Sequence, residues 1–304
     1  MRQRWVVVKG RFGMGNRIAV VLSALRYAEA TQRSLIVDWN DNTYAMPDGG
    51  DTFTSLWDAP EVSAVRLEEL GDVSVYPAHW QGRLLNYRNK ENVQIMPYKL
   101  AFDAPPGLEE PGANEADVVV VTRDGPKNTY IDSFNRMVPS ELVRRRIDEA
   151  SSGIDWSRTI GAQIRHGNGE RYLTPASTRW FHARLAELSR DLDMSQIFLA
   201  TDCAAVVEEF EHHYESLVTV PKWYPALGSG PIHHHPNCPD RFAAAVDAIV
   251  DIWLLARCRQ ILICDGGFGR AARHISGLPQ SMVEVYPDKI YASVEEKREW
   301  NNPI

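Results

Sequence analysis

Features of secreted and membrane proteins are scarce in this sequence. The apolar run near the N-terminus, Trp5–Val8, has only four residues, too few for the core of a signal peptide. The longest apolar stretch, Ala243–Ala256, is interrupted by Asp247 and Asp251, so no membrane span is expected. The chain has four cysteines and no Cys-x-x-Cys pair, which favours free core thiols over disulfides: Cys203, Cys238, Cys258 and Cys264. The cytoplasm is the expected location.

An excess of positive charge is also absent. The formal net charge of -7 argues against a general binder of nucleic acid or anionic membranes. We find no internal repeat and no low-complexity segment. A hydrophobic fraction of 44% and a charged fraction of 24% are ordinary for a globular protein. A length of 304 residues suggests two domains, each with its own core.

Strand and helix signals alternate along most of the chain. The run Trp5–Val8, a helical period from Asn16 and the run Leu35–Val37 form a β-loop-α-β unit. In the second half, five strands alternate with four helices: Ile160–Ile164, Thr178–Leu192, Ile197–Ala200, Ala204–His213, Leu217–Val220, Arg241–Ala256, Gln260–Ile263, Arg270–Ser276 and Val283–Tyr286. The elements of the Pro- and Gly-rich segment Asn40–Gly112 cannot be placed. The pattern predicts an α/β protein of two Rossmann-like domains, 1–152 and 153–304, with a cleft between them.

The most informative segment is Ile160–Glu170, with the sequence IGAQIRHGNGE. A buried-type strand ends at Ile164 and is followed at once by Arg165, His166 and a glycine loop. Open α/β sheets bind ligands at the carboxyl edge of their strands. A guanidinium there suits phosphate oxygens, because its planar fork binds them bidentately and keeps its charge. An arginine that simply pairs with a neighbouring carboxylate fits the motif equally well.

Three further loops could carry chemistry. In the first, Gly10–Asn16, glycines allow close approach to a ligand and Asn16 could cap the next helix, although a structural turn fits equally. In the second, Asp202 ends a strand, and capping of the following helix by Thr201 or Asp202 is the simpler interpretation. The third, Asp265–Arg270, offers backbone N–H groups at a helix N-terminus to an anion.

The role of Asp251 stays open at this level. A helical wheel places it roughly opposite the core-facing stripe of its helix. A solvated carboxylate on a polar face is one interpretation. If that face borders the cleft, the carboxylate could instead accept the N–H groups of a guanine ring.

The run His233–His235 gives little support for a metal site. Adjacent histidines on an extended chain point in different directions, and no second ligand pair has suitable spacing. We therefore expect a polar loop and no bound metal. The neighbouring aromatic residues Trp223 and Tyr224 fit sugar stacking and core packing equally well.

Four segments in order resemble a known family, the α1,6-fucosyltransferase superfamily and, within it, the rhizobial nodulation enzymes. They are Gly10–Asp38, Ile160–Glu170, Ile197–Phe210 and Asp247–Arg273. The resemblance implies a GT-B-like fold and an inverting, metal-independent transfer of fucose from GDP-fucose, a co-substrate, to a glycan hydroxyl, with GlcNAc expected in the acceptor. No other cofactor, no nucleic acid and no membrane partner is implied.

The resemblance also assigns residues. Arg165 would hold the β-phosphate, Asp251 would bind guanine and the backbone of Gly267–Gly269 would bind phosphate. Where the animal enzymes have a second arginine and a lysine, this chain has His166 and Gly169. The full set of expected donor-binding residues is Gly13, Gly15, Asn16, Arg165, His166, Asp202, Asp251, Gly267, Phe268, Gly269 and Arg270.

An inverting displacement needs charge stabilisation on the departing diphosphate and benefits from a base on the acceptor hydroxyl. Arg165 and the helix N-terminus after Phe268 would supply the first. Glu170, which lies next to the arginine loop, is the candidate base, although a surface glutamate fits as well. Two other functions remain compatible: a transferase for a different nucleotide sugar, and a non-catalytic protein that binds nucleotides or glycans.

Overall fold

The structure is a computed structural model that describes residues 3–10, 12–40, 44–85, 103–125, 131–170, 173–191 and 195–291. The chain forms two compact units. The first comprises Met1–Arg144 and Asp240–Val246, and the second comprises Arg145–Pro239 and Asp247–Ile304.

The first unit is built on a four-stranded parallel sheet in the order β2-β1-β5-β4. Its strands are β1 (Trp5–Lys9), β2 (Ser34–Asp38), β4 (Val75–Tyr76) and β5 (Val118–Val121). All residues of β1 and β5 are buried. Their β-branched side chains suit a sheet that is covered on both faces.

The other helices and strands of this unit lie between or after the sheet strands in the sequence. They are α1 (Met14–Ala30), α2 (Thr52–Leu56), β3 (Trp57–Asp58), α3 (Pro111–Glu115), β6 (Val138–Pro139) and the start of α4 (Glu141–Ser151), with β3 antiparallel to β6. Within the segment Asn40–Gly112 that sequence patterns could not place, α2, β3 and β4 are short and cover few residues, and residues 41–43 and 86–102 lie outside the described residues.

The second unit contains a five-stranded parallel sheet in the order β11-β10-β7-β8-β9. The strands are β7 (Thr159–Ile164), β8 (Gln196–Thr201), β9 (Leu217–Val218), β10 (Gln260–Ile263) and β11 (Val283–Val285). The helices are α5 (Thr178–Asp191), α6 (Ala204–His213), α8 (Gly267–Ser276) and, from Asp247 onward, α7 (Arg241–Arg257). Helix α8 begins three residues earlier than predicted, because its glycines take helical geometry in the first turn.

The central strands β7, β8 and β10 are almost wholly buried, whereas the edge strands β9 and β11 are partly exposed. Residues of β7, β8, α5 and α6 share one hydrophobic cluster that includes Phe181, Leu199 and Phe210. The cysteines are free, as expected, and Cys203, Cys258 and Cys264 are buried. In the part of the chain that the structure describes, no helix is both long and apolar enough to cross a membrane.

Contact between α7 and the sheet depends on Gly161 in the middle of β7. A Cβ atom at this position would lie 2.5 Å from Cδ1 of Leu255 and 2.9 Å from Sγ of Cys258. Leu255 lies in the last turn of α7, Cys258 is the first residue after the helix, and both are buried. The glycine therefore allows the end of the helix to lie directly against the strand.

We expect Gly161→Ala to lower the free energy of unfolding by about 1–3 kcal/mol, because an added methyl overpacks a filled core. Gly107→Ala is the control, since a Cβ there has no atom within 4 Å. Urea unfolding followed by circular dichroism measures both. Equal stability of the two variants would contradict close packing at Gly161.

Candidate functional site

Three loops of the second unit lie at the carboxyl edge of its sheet. Arg165 follows β7, Asp202 follows β8, and Asp265 follows β10. These three strands are adjacent and parallel, in the order β10-β7-β8, so the loops share one edge. The chain runs outward from β7 to β8 and β9 on one side and to β10 and β11 on the other. The boundary between β7 and β10 is thus a topological switch point, where α/β sheets commonly bind ligands.

The carboxylate of Asp202 organises the arginine loop. Its Oδ1 accepts a hydrogen bond from the backbone N–H of His166 at 2.8 Å, and its Oδ2 accepts one from Gly167 at 2.8 Å. Oδ2 also pairs with Arg165. The expectation that Thr201 or Asp202 caps the next helix is wrong: the N-cap of α6 is Cys203, and no side chain caps that end. The carboxylate of Asp202 accepts the N–H groups of the arginine loop and not those of the first turn of α6.

Arg165 lies between two carboxylates. One terminal nitrogen pairs with Asp202, the other pairs with Glu170, and the hydroxyl of Tyr291 also interacts with the guanidinium. Only 15% of the arginine side chain is exposed. Burial alone would lower the pKa of Arg165, but Asp202, Tyr291 and Glu170 outweigh it and raise the pKa above its ordinary value. The guanidinium is therefore permanently charged and held in one orientation.

Asn168, which the sequence analysis missed, fastens a second loop to the arginine loop. It is fully buried and left-handed, with φ 49° and ψ 42°. Its side chain donates to the carbonyls of Ala226 (2.8 Å) and Gly230 (3.2 Å) and accepts from the N–H of Gly228 (3.2 Å). The Gly-Asn-Gly sequence signals a turn, but the loop that it would bind lies about sixty positions further on.

Gly169 explains why this loop carries no lysine. Its φ of +90° is unfavourable for any residue with a side chain, and a Cβ atom would lie 2.6 Å from the carbonyl oxygen of Gly228. His166 also turns inward, with its Nδ1 accepting a hydrogen bond from the N–H of Asn168 at 3.2 Å. At Gly169 the backbone of the loop around Gly228 thus occupies the room that a side chain would need, and at His166 the side chain binds the backbone of its own loop.

The loop after β10 presents a helix N-terminus at the same edge. Gly266 is the N-cap of α8 and no side chain caps it, so the first-turn N–H groups of Gly267 and Phe268 are directed out of the helix. Gly269 has a packing role, since a Cβ there would lie 2.7 Å from the carbonyl oxygen of Cys264. The N–H of Arg270 closes the first helical turn onto Gly266 at 3.0 Å.

Tyr291 connects this helix N-terminus with the arginine. Its ring lies 3.7 Å from the position of a Cβ on Gly266, and its hydroxyl interacts with Arg165. Cys264, between the two loops, accepts a bond from the N–H of Arg165 at 3.4 Å. Burial raises the pKa of Cys264 to about 12, so this thiol stays protonated. Arg165 and the start of α8 therefore belong to one continuous site.

The interpretation of Asp251 as a solvated carboxylate on a polar face is wrong. The residue is only 3% exposed, because α7 is buried on several faces at this level and the segment around Lys222 covers the carboxylate. Oδ2 pairs with Lys222, whereas Oδ1 is buried without a hydrogen-bond partner. An unpaired buried acceptor costs about 1–3 kcal/mol, so a ligand N–H would stabilise this position.

Lys222 is the second residue that the sequence did not reveal. Its side chain is 6% exposed, and its Nζ lies 5.5 Å from the ring centroid of Tyr224. Burial alone would lower the pKa of Lys222, but the attraction of Asp251 outweighs it and raises the pKa. The sequence gives no sign that Lys222, next to Trp223 and Tyr224, is buried. Its ion-pair partner lies on α7, about 30 residues further along the chain.

The histidine run stabilises its own loop. His235 is buried, with Nε2 3.1 Å from the hydroxyl of Ser229 and Nδ1 accepting from the N–H of Asn237 at 3.2 Å. The ring of Trp223 lies 5.3 Å from that of His235. Across the described ranges, no cluster of three or more His, Cys, Asp or Glu side chains could hold a metal ion.

Gly13, Gly15 and Asn16 belong to the first unit. Gly13 is the N-cap of α1, and its carbonyl accepts from Asn16 at 3.1 Å and from Arg17 at 3.2 Å. The expectation that Asn16 caps this helix is wrong, because α1 starts at Met14 and Asn16 lies inside its first turn. The buried Arg17 donates to the carbonyl of Phe12 at 3.0 Å, which shapes the turn before the helix.

Curated relatives match over more than four fifths of the chain. The nodulation protein Z of Azorhizobium caulinodans is 26% identical over 289 residues, which cover 84% of this chain and 83% of that protein. The nodulation protein Z of Sinorhizobium fredii is 24% identical over 288 residues, which cover 86% of this chain and 87% of that protein.

Solved structures show the same fold. A crystal structure of NodZ α-1,6-fucosyltransferase soaked with GDP-fucose matches with a TM-score of 0.63 and 20% identity, covering 90% of this chain and 92% of that one. POFUT1 in complex with GDP-fucose matches with a TM-score of 0.57 and 10% identity, covering 95% and 99%. These matches and the two parallel sheets confirm the GT-B-like α/β fold class. Finally, a family model described as Nodulation protein Z (NodZ) matches residues 2–277, and this chain therefore belongs to the NodZ family.

Proposed function

We propose that this protein transfers fucose from GDP-fucose to a hydroxyl of a GlcNAc-containing glycan, with inversion and without a metal ion. The second unit would bind the donor and the first unit the acceptor, with the cytoplasm as the proposed location. One observation carries the donor assignment: Arg165 and the uncapped N-terminus of α8 lie at the same edge of the sheet, on either side of a topological switch point. Membership of the NodZ family supports the choice of sugar and nucleotide.

Charge stabilisation of the leaving group follows from this arrangement. As the bond from fucose to the diphosphate breaks, negative charge grows on the phosphate oxygens. The planar fork of Arg165 can donate two parallel hydrogen bonds to them, and the first-turn N–H groups of α8 can donate from the other side. These donors are already oriented before the reaction, which is the property that lowers a barrier most effectively.

Donor binding requires Glu170 to leave Arg165. The cluster of Arg165, Asp202 and Glu170 has one positive and two negative charges, so an anionic diphosphate is repelled while both carboxylates remain. Asp202 is held by two backbone N–H groups, whereas in the described structure Glu170 is bound through its ion pair with Arg165. We therefore assign the displacement to Glu170. Once released beside the reacting sugar, its carboxylate acts as the base on the acceptor hydroxyl.

A protein that binds nucleotides without catalysis is the competing function. The engagement of Glu170 with Arg165 favours it, because a carboxylate that remains in this pair is not free to take a proton. The two functions differ in turnover: a non-catalytic protein binds GDP-fucose without transferring the sugar, whereas the transferase transfers it and loses activity when Glu170 is altered.

GDP is expected to raise the melting temperature without any divalent cation, whereas UDP, ADP and CDP leave it unchanged. A ligand at one hundred times its dissociation constant stabilises a protein by about 2.7 kcal/mol, which thermal-shift screening detects easily. EDTA in every sample removes trace metals. Protection by UDP plus manganese alone would contradict the donor assignment.

Arg165→Lys is expected to lower turnover at least about a hundredfold, with binding of GDP-fucose weakened less. Lysine keeps the charge but loses the fork that donates to two phosphate oxygens. Steady-state transfer to a GlcNAc-containing oligosaccharide gives the rate, and circular dichroism confirms folding. Arg184→Lys, at an arginine that pairs with Glu284 on the same unit, is the control. Near-normal turnover in a folded Arg165→Lys variant would remove the catalytic role.

Glu170→Gln is expected to tighten GDP binding, because it removes the carboxylate that competes for Arg165. At the same time it should lower turnover by about two orders of magnitude, the usual contribution of a general base. Calorimetry and steady-state kinetics measure the two effects separately. Glu187→Gln, which removes an exposed partner of Arg184, should change neither. Tighter GDP binding with unchanged turnover would make Glu170 a counter-ion only.

A further inference from the structure

The buried ion pair of Lys222 and Asp251 has a feature that packing alone does not explain. Nζ of Lys222 binds only Oδ2 of the carboxylate, and Oδ1 remains buried without a partner. Side-chain exposures of 6% and 4% leave little access to solvent for either group. A pair that served stability alone would be expected to have both carboxylate oxygens satisfied.

The surroundings connect this pair with the arginine loop. Lys222 lies beside the ring of Tyr224, and the carbonyl of the next residue, Pro225, accepts a hydrogen bond from the buried side chain of Asn168 at 3.4 Å. Asn168 in turn lies three residues after Arg165. The unpaired oxygen of Asp251 thus belongs to the same unit as the proposed phosphate site and is joined to it by a short run of ordered contacts.

We propose that Lys222 is a positioning residue for donor recognition, which holds one oxygen of Asp251 and directs the other to the N–H edge of the purine base. This inference rests on the proposed function and deepens it. A carboxylate oxygen accepts the N–H groups of guanine, whereas a protonated carboxyl would present its own hydrogen to them. The charge of Lys222 keeps Asp251 an acceptor.

Electrostatics support this division of roles. Burial raises the pKa of Asp251, and the attraction and hydrogen bond of Lys222 oppose that effect. The other charged or titratable groups that act on this pair are Asp247, one turn earlier on α7, and Tyr224, which also senses Asp202. Burial raises the pKa of Tyr224, so its phenol stays neutral near physiological pH. Lys222 is therefore the cation that sets the protonation of Asp251.

The sign of the pH effect follows. Without Lys222, Asp251 takes up a proton at a higher pH than it does in the native pair. GDP binding by Lys222→Met should therefore approach that of the unaltered protein at about pH 8.5 and become at least about tenfold weaker at about pH 6. GDP has ionisations of its own, so the informative quantity is the ratio of the two dissociation constants at each pH.

Isothermal calorimetry with GDP from about pH 6 to about pH 8.5 tests this inference. Lys222→Arg should restore a nearly constant ratio, because it supplies the charge in a different shape. Lys222→Gln, which keeps a hydrogen bond to Oδ2 but loses the charge, should behave like Lys222→Met and replaces it if that variant does not fold. The double variant Lys222→Met/Asp251→Asn has no group left to titrate, so its binding should be weak with a constant ratio.

The outcomes separate the two proposals. If the unaltered protein does not bind GDP, the proposed function fails. If it binds GDP and the ratio for Lys222→Met or Lys222→Gln does not change with pH, Lys222 has only a packing role and the inference is overturned. Full GDP affinity in Asp251→Asn would overturn it as well, since Oδ1 would then have no role in binding.

Discussion

The carboxylate of Asp202 is the contact on which the rest of the candidate site depends. It binds two consecutive backbone N–H groups and one end of the Arg165 guanidinium, so a single side chain at the end of the neighbouring strand joins the turn at His166 to the arginine. Because β7 and β8 pair in parallel with Gln163 opposite Ala200, the register of the sheet brings Asp202 to the correct level. An error of one residue in that register would separate the carboxylate from the loop.

Both buried cations of the second unit discussed above are held by carboxylates: Arg165 by Asp202 and Glu170, and Lys222 by Asp251. A cation that is buried with its carboxylate keeps a fixed position, but its charge is already neutralised and does not by itself attract an anionic ligand. Under the proposed function, the donor would be bound by exchange of partners, in which the ligand replaces one carboxylate and completes the hydrogen bonding of another. Such exchange favours selectivity over raw affinity, because a ligand with the wrong hydrogen-bonding pattern leaves buried groups unpaired.

Sequence patterns predicted the local structure well and the contacts across the chain poorly. Ala204–His213 and Gln260–Ile263 have the predicted bounds, because periodic faces and short apolar runs define elements locally. The helical wheel left the burial of Asp251 open, since a wheel does not show that the segment around Lys222 covers this carboxylate. The pairing of Lys222 with Asp251 and the contact of Asn168 with the loop at 226–230 depend on segments that meet only after folding.

The close approach of Gly169 to the carbonyl of Gly228 has a consequence for how sequences of this family can diverge. A side chain cannot enter at 169 while the second loop keeps its course, and that loop is itself fastened by Asn168. Positions 168, 169 and 228 are therefore expected to vary together. A lineage that acquires a lysine at 169 must also acquire a different length or path between 225 and 230. The two loops are therefore expected to change together during evolution.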